Sequence, residues 1–178
     1  MKLNIGDMPL TLGGRLDETR LASSPFQKEG LVKRLLSRAS DGRDHYVLEN
    51  ARLTCLTDDF TIFPCTHGYL DQDRRWETRA SIYIQDGKLE EVLFQVIDGK
   101  YAAGNFLERF AGACTDSLGD PVAHDEQGIV WHNGTTILTA FLHDNRVDAD
   151  FRFEWTRKTN DATSSGSSSG RQDRRAHR

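Results

Sequence analysis

The chain has 178 residues, with 23 Lys and Arg, 27 Asp and Glu, and a formal net charge of −4. That length suits one domain with or without a tail, and 37% hydrophobic residues are enough for a sizeable core. No apolar run approaches the ~20 residues that span a bilayer, so we predict no membrane-spanning segment. The slightly acidic balance gives no general attraction to nucleic acid or to anionic membranes.

The first residues and the cysteines predict a cytoplasmic protein. Acidic and glycine residues follow Met1 too soon for the apolar region of a signal peptide. Cys55, Cys65 and Cys114 have no metal-like spacing, and we interpret all three as buried reduced thiols. Reduced thiols fit an intracellular compartment.

Short strands and one helix are predicted at the front of the chain. Residues 3–12 form a strand pair turned at Asp7-Met8-Pro9, and a short helix follows from Asp17. An amphipathic helix is predicted over Gln27–Ala39, and it turns the following side chains inward: Leu31, Val32, Leu35 and Leu36. The front half of the chain therefore contributes one of two main helices.

Two antiparallel pairs are predicted in the middle of the chain. Residues 46–56 and 60–64 form the first pair, around Thr57-Asp58-Asp59. Asp86-Gly87 is a hairpin signal for the second pair. A plain two-residue turn would set Ile82 against Glu91. A one-residue bulge at Gly87 instead keeps apolar residues opposite each other: Ile82 with Val92, Ala80 with Phe94, and Thr78 with Val96.

The second main helix is predicted over Asn105–Leu118. Asn105 is a suitable N-cap, with Glu108 three residues further on. Gly119 and Pro121 then end the helix. The inward stripe consists of four residues at helical spacing: Phe106, Phe110, Cys114 and Leu118.

Three strands are predicted after this helix. Val147 to Trp155 alternates apolar and charged residues, which indicates a strand with one buried face. A turn at Asp144-Asn145 pairs this strand with the one before it: Leu142 with Val147, Ala140 with Ala149, and Leu138 with Phe151. A turn at Asn133-Gly134 adds the third strand: Trp131 with Thr136, and Ile129 with Leu138.

These elements predict an α+β fold in which a curved antiparallel sheet of about six to eight strands packs against two main helices. Residues 1–157 are expected to form a single domain. Residues 158–178 are rich in Ser, Gly and Arg and almost free of apolar side chains, so we predict a disordered tail.

The chain lacks the usual signatures of a reaction centre. It has no GxxxxGK[ST] phosphate loop, no HExxH and no paired CxxC. A Cys65–His67 or Cys114-based nucleophile would need a neighbour that lowers the thiol pKa, and no sequence feature indicates one. We therefore predict no catalytic residues, no cofactor and no metal.

A protein-binding surface is the function that the sequence favours. Acidic residues and one tryptophan are expected on neighbouring loops at one sheet end: Asp58, Asp59, Asp71, Asp73 and Trp76. Acidic loops beside an aromatic anchor suit a basic protein partner. We predict a non-catalytic module of bacterial type, with an adaptor, chaperone or toxin-neutralising immunity role.

Two alternatives remain open. The chain could be an enzyme or small-molecule binder with a pocket between the sheet and the helix at residues 105–118. The basic tail could also contact nucleic acid, although the acidic body argues against a nucleic-acid function. A large cavity would support the first alternative, and salt-sensitive binding that depends on the tail would support the second.

Overall fold

A computed structural model of the chain describes residues 2–16, 18–28, 42–56, 60–65, 75–100, 102–126 and 128–156. These ranges contain twelve strands in two antiparallel sheets together with two helices, which confirms the predicted α+β class with an antiparallel sheet. None of the helices in these ranges has the length and apolar character needed to cross a bilayer.

The strands in chain order are β1 (Lys2–Ile5), β2 (Met8–Thr11), β3 (Gln27–Lys28), β4 (Asp44–Glu49), β5 (Leu53–Cys55), β6 (Phe60–Ile62), β7 (Glu77–Gln85), β8 (Lys88–Ile97), β9 (Ala123–Asp125), β10 (Gly128–Asn133), β11 (Thr136–Leu142) and β12 (Ala149–Trp155). The helices are α1 (Glu18–Ala22) and α2 (Ala102–Leu118). The large sheet has the order β3-β4-β7-β8-β12-β11-β10-β9, and the small sheet has the order β2-β1-β5-β6.

The front of the chain differs from the prediction at one turn and one helix. β1 and β2 form the expected strand pair, followed by α1, but the turn is Gly6-Asp7 rather than Asp7-Met8-Pro9, because Met8 and Pro9 already pair with β1. The predicted helix over Gln27–Ala39 is wrong at its start, because Gln27 and Lys28 form β3 and pair with β4. Residues 29–39 lie outside the described residues.

The strand predicted over residues 46–56 is two strands in different sheets. β4 belongs to the large sheet and β5 to the small one. The chain turns between them at Asn50, whose φ of 51° is rare for a residue with a side chain. Two hydrogen bonds from this corner to Thr78 of β7 hold the bend: the Asn50 N–H donates to the Thr78 carbonyl, and the Thr78 hydroxyl donates to the Ala51 carbonyl.

The β7–β8 register is the predicted one, but the bulge lies elsewhere. Ile82 pairs with Val92, as expected. Asp86 and Gly87 form a plain two-residue turn, and both have the positive φ that a type I′ hairpin needs. The extra residue is Glu90, because Ile84 pairs with Leu89 while Tyr83 pairs with Glu91. This bulge lets Leu89 and Val92, three residues apart, both point into the core.

The registers predicted for the last three strands are wrong by two residues. The β10–β11 turn is Gly134-Thr135 rather than Asn133-Gly134, with the positive φ at Gly134. The β11–β12 loop is longer than two residues, because the Arg146 N–H donates to the His143 carbonyl and Arg146 takes a positive φ. The observed pairs are Trp131 with Leu138, Ala140 with Phe151, and Leu138 with Phe153. A shift of two residues preserves the buried faces.

Helix α2 begins earlier than predicted. The Gly99 carbonyl accepts hydrogen bonds from the N–H groups of Ala102 and Ala103, so the first turn forms before Asn105, which lies inside the helix and is not its cap. The predicted end is confirmed at Gly119, which has a φ of 85° and donates its N–H to the Thr115 carbonyl.

Phe110 of α2 lies at the centre of the core. Its ring contacts Phe60 of the small sheet at 5.1 Å between centroids, and Phe151 of the large sheet at 5.1 Å. Trp131 and Phe153 complete its shell, with edge-to-face geometry. One side chain therefore joins the helix and both sheets.

Candidate functional site

Trp76 is the one predicted site residue that the described part of the chain contains. It lies immediately before β7 and exchanges two backbone hydrogen bonds with Cys65, at 3.0 and 3.3 Å between nitrogen and oxygen. Its indole N–H donates to the Phe63 carbonyl at 2.6 Å. Both the backbone and the ring of Trp76 are therefore held in place.

Three aromatic rings meet at this position. The Trp76 ring lies 6.2 Å from Phe63 and 5.9 Å from Phe106, measured between centroids, and Phe63 lies 6.1 Å from Phe106. Phe106 is 4% exposed, Trp76 is half-buried and Phe63 is 48% exposed. We call this set (Phe63, Trp76 and Phe106) the aromatic ledge, because its rings run from the core to the surface.

The alternation of β6 places Phe63 outside. Phe60 and Ile62 point into the core, so a residue at the position of Phe63 points away from it. Within the described residues, Phe63 and Val122 are the exposed large hydrophobic side chains. The signal was present in the sequence as a phenylalanine at the outward phase of a short strand, directly before Pro64.

The four acidic site residues stay predictions. Asp58 and Asp59 fall between β5 and β6, and Asp71 and Asp73 fall shortly before Trp76; all four lie outside the described residues. Sequence reasoning missed Phe63, which is the most exposed member of the ledge. It assigned Phe106 to the core stripe, which the structure confirms.

A second arrangement lies on the opposite face of the large sheet from the core. Glu91 of β8 accepts a hydrogen bond from Arg43 at 2.8 Å and forms an ion pair with Arg152 of β12 at 3.3 Å. Glu154 is the direct cross-strand partner of Glu91. We call these four residues (Arg43, Glu91, Arg152 and Glu154) the ionic cluster.

The aromatic surroundings of the ionic cluster extend it toward the sheet edge. The Arg43 guanidinium lies over the Tyr83 ring at 4.7 Å, and the Tyr83 ring stacks on His45 at 4.4 Å with an angle of 2°. Glu91 and His45 are both buried although they face away from the core. Arg43 lies directly before β4 and reaches across β7 to β8, so the cluster links the start of β4 with β8 and β12.

The electrostatics of the ionic cluster are those of a mutually neutralising group. Burial raises the pKa of Glu154, the charge of Glu91 raises it further, and Arg152 and Arg43 act in the opposite direction. Two guanidinium groups face two carboxylates, so little net charge remains for a ligand. We interpret the cluster as a clamp of the sheet and not as a binding site.

Two of the three cysteines, Cys55 and Cys114, are unsuited to act as nucleophiles. Cys55 and Cys114 are buried and free, as predicted, whereas Cys65 is only half-buried, contrary to the prediction, because it lies past the end of β6. Burial raises the pKa of the Cys114 thiol to about 12 and also raises that of Cys55, so both thiols stay protonated. His67, the possible neighbour of Cys65, is outside the described residues.

Metal ligation finds no support in the described ranges. No three His, Cys, Asp or Glu side chains converge there in a way that could hold a metal ion. His124, next to Asp125 and Glu126 in the chain, is exposed on β9.

Aromatic rings pack around Phe110 in one part of the position expected for the alternative pocket. Phe110 lies between α2 and the large sheet and contacts buried rings on both β10 and β12.

Comparisons with protein families, with curated proteins and with solved structures found no match to this chain. Among the arrangements in the described residues, the aromatic ledge is the one that exposes a fixed apolar ring.

Proposed function

We propose that this chain is a non-catalytic protein-binding module that uses the aromatic ledge as its apolar anchor. The observation that supports the proposal is the fixed exposure of Phe63: the residue is 48% exposed, while its carbonyl accepts the Trp76 indole hydrogen bond. Such a module would serve as an adaptor, a chaperone or an immunity protein.

The ledge has the features of a binding hot spot. Aromatic side chains dominate interface energetics, and those held in place before binding lose little conformational entropy when a partner docks. Phe106 anchors the ledge from below, because it is buried in α2 and contacts both other rings. Phe63 can therefore contribute its exposed area to a partner without a rearrangement of the core.

Charge defines the kind of partner that we propose. Residues 1–156 contain 17 of the 23 basic residues and 25 of the 27 acidic ones. Acidic residues also flank the ledge in the chain, at Asp58-Asp59 and Asp71-Gln72-Asp73. A partner with an apolar centre and a basic rim would be attracted by these charges and anchored by Phe63.

The test is quantitative affinity capture from the cells that naturally make the protein. Wild-type, Phe63→Ser and Val122→Ser chains are compared, since Val122 is the other exposed large hydrophobic in the described residues. A stoichiometric partner should be recovered with wild type and Val122→Ser. Its recovery should fall sharply with Phe63→Ser, because we expect that variant to bind about 30-fold more weakly.

A folding control and an acidic variant complete this test. Equal denaturation midpoints for the three chains exclude a general loss of structure. Asp71→Asn with Asp73→Asn should slow association at low salt and leave dissociation nearly unchanged. Recovery of the same partner by Phe63→Ser, or no stoichiometric partner for wild type, would contradict the proposed function.

A further inference from the structure

A second surface lies at the free edge of the large sheet. β9 is its last strand and, within the described residues, pairs with β10 alone. All three β9 residues are exposed, and Val122 directly before the strand is 67% exposed. The outward side of an edge strand presents N–H and C=O groups that can pair with a further strand.

The charge around this edge has one sign. Between Arg109 and Arg146 the chain contains no Lys or Arg. The exposed acidic residues that lie near β9 in the chain are Asp116, Asp120, Asp125 and Glu126. α2 ends shortly before β9 in the chain, and its last turn has no basic residue to balance the partial negative charge of its C-terminus. Natural proteins often protect an edge with lysine, and this edge has none.

We propose that the β9 edge docks the basic C-terminal segment of the same chain, residues 157–178. That segment holds six of the 23 basic residues and two of the 27 acidic ones. Pairing would combine backbone hydrogen bonds at β9 with attraction between the acidic edge and the arginines of the segment. Val122 would supply the apolar contact.

The exit point of the chain permits this docking. Thr156 donates its N–H to the Thr135 carbonyl, so the chain leaves the sheet at the β10–β11 turn. β9 lies three strands from β12 in the sheet and pairs with residues 128–130. With strand spacings of about 4.8 Å and rises of about 3.4 Å per residue, the distance from Thr156 to β9 is roughly 22 Å.

Residues 157–170 are long enough to cover that separation. Fourteen residues can extend to roughly 48 Å, which brings the last four arginines within reach of β9: Arg171, Arg174, Arg175 and Arg178. The other edge of the large sheet is a poorer acceptor, since β3 carries Lys28 in an ion pair with Asp44. Charge therefore selects β9 over β3.

The test uses paramagnetic broadening in the full-length chain. A nitroxide is attached at Ser169→Cys in a Cys65→Ser background, and the amide NMR signals of Val122–Asp125 are followed. They should be broadened at low salt, while those of Gln27 and Lys28 on β3 should not. The broadening should disappear at 1 M salt, where the Debye length is about 3 Å. It should also disappear when the four C-terminal arginines are changed to glutamine.

Three outcomes would overturn the proposal. The first is the absence of broadening at β9, and the second is equal broadening at β3 and β9. The third is broadening that arises between chains, seen when chains without nitroxide are mixed with nitroxide-labelled chains. The last result would assign the edge to a second copy. Phe63→Ser should leave the broadening unchanged, so a failure of the ledge as a partner site would not affect this test.

Discussion

The two faces of strands β8 and β12 are stabilised by different kinds of interaction. On the core face, Phe94, Phe151 and Phe153 are fully buried and are held by non-directional apolar contacts. On the opposite face, Glu91 and Arg152 are held by specific ion pairs. The core face of this strand pair should therefore accept substitutions that keep side-chain volume. The stability of the opposite face depends instead on individual charged partners.

Removal of Phe110 should give the largest effect on the core side. Phe110→Ala deletes a ring that joins both sheets to α2, and we expect a loss of about 3–5 kcal/mol in the free energy of unfolding. Urea denaturation followed by circular dichroism measures it.

The matched control is Phe141→Ala, which removes the same side-chain atoms from the face of β11 that points away from the core. Phe141 is half-buried and contacts His143, so its loss should be about 1 kcal/mol or less. Equal losses for the two variants would contradict the assignment of the faces.

The ionic cluster predicts a smaller loss on the opposite face. Glu91→Gln leaves Arg43 and Arg152 without their shared carboxylate, and we expect about 2 kcal/mol of destabilisation. The control is Glu49→Gln, which breaks the more exposed Glu49–Arg79 pair and should cost less than about 1 kcal/mol. Denaturation at low and high salt distinguishes the two variants, because salt screens the buried ion pairs of Glu91 less than the exposed Glu49–Arg79 pair. If both variants lose the same small amount, the cluster is not a clamp.

The smallest predicted effect depends on pH. Because the pKa of Glu154 is raised in the folded chain, its charged form disfavours folding, and stability is lost as pH rises through that pKa. Glu154→Gln should therefore be slightly more stable than wild type at about pH 7, and the difference should vanish near pH 4. Solvent screening keeps the gain well under 1 kcal/mol. A loss of stability in Glu154→Gln at neutral pH would contradict this prediction.

The core face could be predicted from the sequence because it follows a simple period. Alternation in Val147–Trp155 places Phe151 and Phe153 inside, and the helical stripe places Phe110 against them. Registers were less predictable, since they depend on the loops. Gly134-Thr135 replaces the expected Asn133-Gly134 turn, and the side-chain bonds of Asn145 lengthen the β11–β12 loop.

The polar arrangements could not be predicted because their partners are distant in the chain. Arg43 and Glu91 are 48 residues apart, and no local pattern relates them. The split of residues 46–56 depends on the bond between Asn50 and Thr78, which is also non-local. For the candidate site, the sequence identified Trp76, but the exposed ring of Phe63 required the phase of β6.

The affinity of the captured partner for wild-type and Phe63→Ser chains tests the central claim most directly. Isothermal calorimetry at one salt concentration gives both dissociation constants. If Phe63 is the anchor of the ledge, the variant should bind about 30-fold more weakly, which corresponds to about 2 kcal/mol. Dissociation constants within about twofold of each other would contradict the claim that this surface binds the partner.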